Sequence, residues 1–168
     1  FAPADANKTF LVVITNDELD EPTEYFTTML SNPTNGAMID APASVFVYIT
    51  NDDPGPVFQF STSDWSIGES ESEVNLTVTK SGSSAYSYSV SYASSNGTAT
   101  AGSDYTAVSS SLTFSPSDTS KTLSVSVTAD TVYEADEEFT VAITGVSGDG
   151  TIGALSPATV TIQDDDTA

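Results

Sequence analysis

The sequence predicts an all-β protein: a seven-stranded immunoglobulin-like antiparallel sandwich, preceded by a partial copy of the same module. Three observations carry that prediction. Apolar and hydroxyl side chains alternate with period two, as in Val74-Asn75-Leu76-Thr77-Val78, Tyr88-Ser89-Val90-Ser91-Tyr92 and Leu123-Ser124-Val125-Ser126-Val127, which is the pattern of strands with one buried face. Turn clusters such as Lys80-Ser81-Gly82-Ser83-Ser84, Ser115-Pro116-Ser117-Asp118 and Ser147-Gly148-Asp149-Gly150 separate these runs. Residues 1–53, shifted by 113 positions, fall on 114–166 without a gap.

Taken in order, strands are predicted at 57–68, 73–80, 87–95, 109–114, 121–129, 138–146 and 157–163. Seven strands in about 110 residues is the size of an immunoglobulin-like sandwich. No segment reads as a long amphipathic helix. Immunoglobulin domains with a Cys…Trp…Cys spacing are excluded, because the chain has no Cys.

The repeat fixes the organisation. Phe1, Pro3, Asp5 and Lys8-Thr9 fall on Phe114, Pro116, Asp118 and Lys121-Thr122. Asp17, Glu21, Glu24 and Phe26-Thr27 fall on Asp130, Glu134, Glu137 and Phe139-Thr140, and Ile49 and Asp52-Asp53 fall on Ile162 and Asp165-Asp166. About 18 of the 53 positions are identical. Residues 1–53 are therefore expected to be the second half of a repeat, from the end of its fourth strand to its seventh. Residues 54–56 are a linker and 57–168 a complete copy. Pro54-Gly55-Pro56 cannot continue a strand ladder and is too short for free motion, so the two units should sit nearly end to end. Half a sandwich leaves unpaired edges and an exposed apolar face.

Composition narrows the chemistry. The 168 residues include 24 Asp or Glu, 3 Lys and no His or Cys, for a net charge of −21. Without Arg, His or Cys, nucleophilic triads, His or Cys zinc sites, disulfides and redox motifs are excluded. The charge repels phosphate, which argues against nucleic acid and anionic lipid and for cations as partners. No apolar run reaches the roughly 20 residues of a membrane span, and the first residues lack the features of a signal peptide.

If each strand runs antiparallel to its predecessor, the first, third and fifth connections and the C-terminal end of the seventh strand emerge at one pole. That pole receives Glu69, Glu71 and Glu73, then Asp104, then Asp130, Glu134, Asp136 and Glu137, and finally Asp164-Asp165-Asp166. The opposite pole receives Asp118 and Asp149, with Lys80 and Lys121 nearby. Two unit charges 4 Å apart repel by about 4 kcal/mol at an effective dielectric of 20. An acidic pole without Lys or Arg therefore calls for a cation, and an all-oxygen set from several loops suits Ca²⁺ better than Mg²⁺.

The string Gly97-Thr98-Ala99-Thr100-Ala101-Gly102-Ser103-Asp104-Tyr105-Thr106, with Leu112-Thr113-Phe114-Ser115-Pro116, Lys121-Thr122, Asp130 to Phe139 and Ala158 to Asp166, resembles the Calx-beta domain. The resemblance covers 57–166 entirely and 1–53 through the second-half motifs. It implies a seven-stranded sandwich that, in the calcium sensors of sodium/calcium exchangers, binds several Ca²⁺ ions at one tip. Carried over, the ligands would be Glu69, Asp104, Asp130, Glu134, Glu137, Asp164, Asp165 and Asp166, and in the first copy Asp17, Glu21, Glu24, Asp52 and Asp53. The strongest calcium-binding members have paired acids where this chain has Ala129-Asp130, which implies one ion lost or weakly held.

The resemblance implies a non-catalytic Ca²⁺-binding module of a larger multi-repeat extracellular or cell-surface protein, a calcium-stiffened spacer or adhesion segment. Its partners would be Ca²⁺, neighbouring repeats of the same polypeptide or another copy of it, and a cell-surface protein or glycan. The absence of Cys and a Ser plus Thr content of roughly 30% point to a bacterial secreted or cell-surface protein. Two alternatives compete with this: a calcium-sensing regulatory domain like those of the exchangers, and a carbohydrate-binding sandwich using Trp65, Tyr86, Tyr88 and Tyr92 as stacking platforms. Glycoside hydrolysis by paired carboxylates is disfavoured, since it needs one acid held protonated and acids around a cation are held ionised.

Overall fold

The computed structural model describes residues 1–2 and 4–167. Pro3, one of the matched repeat positions, and Ala168, the last residue expected in the complete copy, lie outside the described residues. The strands are β1 (Leu19–Asp20), β2 (Glu24–Met29), β3 (Ser44–Ile49), β4 (Val57–Phe60), β5 (Asp64–Gly68), β6 (Glu73–Ser81), β7 (Ser83–Ser84), β8 (Tyr88–Asn96), β9 (Ser109–Phe114), β10 (Ser120–Ser126), β11 (Glu137–Val146), β12 (Thr151–Ile152) and β13 (Ala158–Gln163).

Two sheets make the sandwich, one ordered β10-β6-β4-β12 and the other β5-β13-β11-β8-β9. The alternating residues explain the layering. Phe58, Phe60, Leu76, Val78 and Val125 from the first sheet meet Val90, Phe114, Phe139, Val141 and Val160 from the second, all fully buried, while the intervening Ser and Thr side chains point outward. Phe58 packs edge-on to Phe114 at 5.0 Å between ring centroids. Burying such side chains is worth about 1.5–3 kcal/mol each, and that is what holds the sheets face to face.

The predicted strand at 57–68 is two strands in different sheets. β4 pairs with β6, and β5 pairs in parallel with β13. The break falls at Ser61-Thr62-Ser63, where Ser61 N–H donates to Thr77 C=O on one sheet and Ser63 C=O accepts from Thr159 N–H on the other. The polar triplet has nothing to bury, so the chain crosses there from β4, inside one sheet, to β5, at the edge of the other. Two short strands also arise within segments that read as turns or connections, β7 and β12.

Residues 1–53 contribute the antiparallel pair β2–β3 and the short β1. The third strand implied by the repeat does not form, and Phe10, Leu11, Val12, Val13 and Ile14 are exposed. The reason is a missing partner. Its equivalent in the complete copy, β10, is paired with β6, and the N-terminal segment has no counterpart of β6.

Of the aromatic residues considered as glycan platforms, Tyr88 is buried in the core, and Trp65 is half-buried and packs edge-on to Phe60 at 5.8 Å. Tyr92 is also partly buried against the core, leaving Tyr86 as the exposed one of the four.

Candidate metal centre

Strand direction brings the acids together. β5 and β13 are parallel, so their C-terminal ends lie side by side, and Glu69 N–H continues the ladder by donating to Gln163 C=O at 2.9 Å. Glu69, one residue past β5, thus stands beside Asp164, one residue past β13. β11 runs antiparallel to β13 and begins at the same pole with Glu137, opposite Ile162.

The segment from Gly97 to Tyr105 brings Asp104 in. Ala99 N–H donates to Glu138 C=O at 2.9 Å, and Thr98 Oγ1 accepts Glu138 N–H at 2.7 Å. Gly97 lies so close to β11 that a Cβ there would be 2.4 Å from the Glu138 carbonyl oxygen. Gly102, at φ +97°, lets the chain reverse. Tyr105 then anchors the loop: its ring stacks on Phe139 at 4.1 Å and its hydroxyl donates to Asn96 Oδ1 at 2.7 Å. Asp104 is left at the mouth, its Oδ2 accepting Thr100 N–H at 2.6 Å.

The connection from β10 to β11 closes over the pole. Val127 N–H donates to Ser72 C=O and Thr128 N–H to Asp104 C=O. The Glu69 carboxylate accepts Asp130 N–H at 3.0 Å, Asp164 Oδ1 accepts Glu134 N–H at 3.2 Å, and Asp136 Oδ1 accepts Asp164 N–H at 3.3 Å.

Two carboxylate triads result, Glu69 with Asp164 and Asp166, and Asp104 with Glu134 and Glu137. Each offers three oxygens within 4.8 Å of one another. Glu69, Asp104, Glu134, Glu137 and Asp164 line a common cleft with Ala135 and Ile162. Asp130 belongs to neither triad, its Oδ1 capping the loop by accepting Val132 N–H at 2.7 Å. Asp165 is exposed beside them. Asp136, absent from the ligands carried over, supports the site by orienting Asp164; only its place in the same acidic loop points to it.

In the N-terminal segment Asp17, Glu21, Asp52 and Asp53 line one cleft with Asn51. Glu24, at the start of β2, stays exposed; desolvation first, and then the charges of Glu24, Asp17 and Asp53, raise Glu21. Among the described residues these acids do not form a triad as tight as those of the second pole.

The electrostatics follow. Burial, then the charges of Asp130, Asp166 and Asp164, push the Glu69 carboxyl above its ordinary range, against the opposing pull of the Asp130 N–H. Burial and the charge of Asp104 raise Glu137, and burial with Asp164, Asp165 and Asp130 raises Asp166. All three lysines are engaged elsewhere. Lys8 pairs with Asp5 at 2.9 Å, Lys121 with Asp118 at 3.0 Å, and Lys80 Nζ donates to Pro116 C=O at 2.8 Å.

A model of the Calx-beta domain matches residues 1–53 and again residues 51–166. The chain belongs to the Calx-beta family. The crystal structure of the apo form of the Calx CBD1 domain aligns with 67% of this chain and 99% of its own, at 28% identity and a TM-score of 0.65. CBD12 from CALX1.2 aligns with 67% of this chain at 29% identity and 0.65, and the calcium binding domain CBD12 of CALX1.1 with 66% at 30% and 0.64. This Calx-beta chain spans just 45% and 47% of those two longer structures. The family is of a regulatory, binding type rather than a catalytic one, and its members include Ca²⁺-binding domains.

Proposed function

We propose that this Calx-beta chain is a non-catalytic Ca²⁺-binding module of a multi-repeat, secreted or cell-surface bacterial protein, in which calcium stiffens successive repeats. The single observation that carries the calcium reading is the pair of carboxylate triads at a pole from which every lysine is absent. The donor set fits the ion. It is all oxygen, drawn from four separate segments, and Asp166 Oδ2 is buried without a hydrogen-bond donor. A buried carboxylate oxygen left so is costly unless a cation or donor meets it.

Glu69, Asp164 and Asp166 would hold one ion and Asp104, Glu134 and Glu137 another. Calcium would supply neutralising charge; the protein supplies the fixed positions, through the β5–β13 ladder and the Tyr105 anchor. The location outside the cell and the spacer role rest on the tandem repeat, the absence of Cys and the Ser/Thr-rich composition.

The test is thermal unfolding with Ca²⁺ against chelator. A ligand of the folded state at a hundredfold excess over its Kd stabilises by about 2.7 kcal/mol, so the melting temperature should rise with Ca²⁺. No shift at millimolar Ca²⁺ removes the proposal. Titration calorimetry then separates the extracellular reading, with Kd about 10⁻⁴–10⁻³ M, from an intracellular sensor, which binds at least about tenfold more tightly.

A further inference from the structure

The N-terminal segment meets the sandwich through a buried aspartate. Asp20 is 1% exposed, while Asp17 and Glu18 in the same loop face solvent. Its Oδ2 accepts hydrogen bonds from Ser84 Oγ and from Tyr88 OH, both at 2.6 Å, and its Oδ1 accepts one from Asn51 Nδ2 at 3.2 Å. Its backbone carbonyl accepts Ala85 N–H at 2.8 Å, and around it β1 pairs in parallel with β7. Burial alone would push this carboxyl up, but the donors from Ser84, Tyr88 and Asn51 outweigh it and hold Asp20 below its ordinary range.

The repeat shows that these contacts are particular to the first segment. Positions 20 and 51 correspond to Tyr133 and Asp164 in the second copy. Tyr133 is 61% exposed, and Asp164 belongs to a carboxylate triad. An aspartate at 51 would set a second negative charge against Asp20, whereas Asn51 offers a donor there. Asn51 Oδ1 also accepts from Glu21 N–H and Asp53 N–H, each at 3.4 Å, so the same side chain ties the acidic loops to the contact.

We propose that Asp20, with Asn51, is a latch that seats the acidic tip of one repeat on the Ser84–Tyr88 end of the next and fixes the angle between them without calcium. The receptor is the pole of the sandwich opposite the carboxylate triads, and the partner it fits is an uncapped aspartate on a preceding repeat. Two neighbours tune it. Asp149 Oδ1 lies 2.7 Å from the same Tyr88 hydroxyl. A phenol has one proton to donate, so Asp149 competes with Asp20 for it. The linker sets that competitor's place: a Cβ on Gly55 would lie 2.7 Å from the Asp149 carboxyl.

The test measures the distance distribution between spin labels on Thr23→Cys and Thr122→Cys, in chelator, in a chain with no other cysteine. The parent should give one narrow peak. Asp20→Ala and Tyr88→Phe should each lose it, the second while keeping the ring that packs on Phe58 at 5.5 Å. Asp149→Asn, whose amide donates to the Tyr88 oxygen and frees the phenolic proton for Asp20, should keep the peak or sharpen it. A narrow peak in Asp20→Ala, or a broad one in the parent or in Asp149→Asn, overturns the latch. Working in chelator separates the two readings. Loss of the latch leaves the calcium-dependent melting shift of the far pole in place, and absence of that shift leaves the peak in place.

Discussion

Glu69 and Asp130, 61 residues apart in sequence, meet at 3.0 Å, the Glu69 carboxylate accepting the Asp130 backbone N–H. One oxygen of the most buried acid at the pole therefore sets the course of the loop that carries Glu134 and leads into Glu137. In the proposed calcium site this scaffold residue would also be a ligand, so a change at Glu69 should read out in both binding and stability.

Glu69→Gln tests this. A Gln carbonyl still accepts the Asp130 N–H, so the loop keeps its course while the charge is lost. We expect Ca²⁺ affinity to fall about tenfold, equivalent to about 1.4 kcal/mol. The metal-free melting temperature should hold or rise, because Glu69 is held above its ordinary range by burial and by Asp130, Asp166 and Asp164. Calorimetry and melting on one sample measure both; unchanged affinity would remove Glu69 from the ligand set.

The same raised groups fix the pH dependence. Glu69, Glu137 and Asp166 bind protons more tightly in the folded than in the unfolded chain. Their penalty is present at pH 7 and is relieved as pH falls through their raised values toward the ordinary carboxylate range. Asp5, Asp20 and Asp118 are lowered, so their stabilisation is lost only as pH falls below that range. Metal-free protein should therefore melt higher at about pH 5 than at pH 7, with the gain reversing below about pH 4. Saturating Ca²⁺ should abolish the gain, because protons and the ion compete for the same oxygens. A metal-free melting temperature that falls steadily from pH 7 would contradict the crowding of these acids.

Gly97→Ala probes the scaffold. The new Cβ would lie 2.4 Å from the Glu138 carbonyl oxygen and 3.2 Å from its carbon, both backbone atoms of a central strand that cannot swing aside. Overpacking of this kind costs about 1–3 kcal/mol. We expect the melting temperature to drop by several degrees, and Ca²⁺ binding through the Asp104 triad to weaken more than binding through the Glu69 triad. Equal weakening of both would mean that Gly97 does not position Asp104.

How far the sequence carried depends on how local each feature is. Alternation and turn clusters are local, and they located the strands. The direction of each strand follows from counting connections, which is why Glu69, Asp104, Glu134, Glu137 and Asp164 were assigned to one pole without knowledge of strand order. Features set by distant partners were not legible. The strand at 57–68 breaks because its two halves pair with β6 and β13, and Phe10 to Ile14 stay unpaired because residues 1–53 hold no counterpart of β6. Asp20 stands in an acidic run, and nothing local sets it apart from its neighbours. Its signal was the departure from the repeat, an acid where the second copy has Tyr133.

Ala129 stands where the resemblance to strongly calcium-binding Calx-beta members implies a second acid beside Asp130. The backbone around it is fixed, since Thr128 N–H donates to Asp104 C=O at 2.9 Å and Asp130 N–H is held by Glu69. Ala129 is exposed between these two anchors, so Ala129→Asp would add a carboxylate to the same pole without meeting the core. In chelator the added charge should lower the melting temperature, since about 4 kcal/mol separates a close like-charged pair from none at an effective dielectric of 20, before solvent screening. With Ca²⁺ the order should invert, the variant binding more tightly or taking up a further ion, because the same charge becomes attraction. Calorimetric stoichiometry and affinity decide it: if neither changes while metal-free stability falls, residue 129 faces away from the ions and the paired acids of other family members do different work.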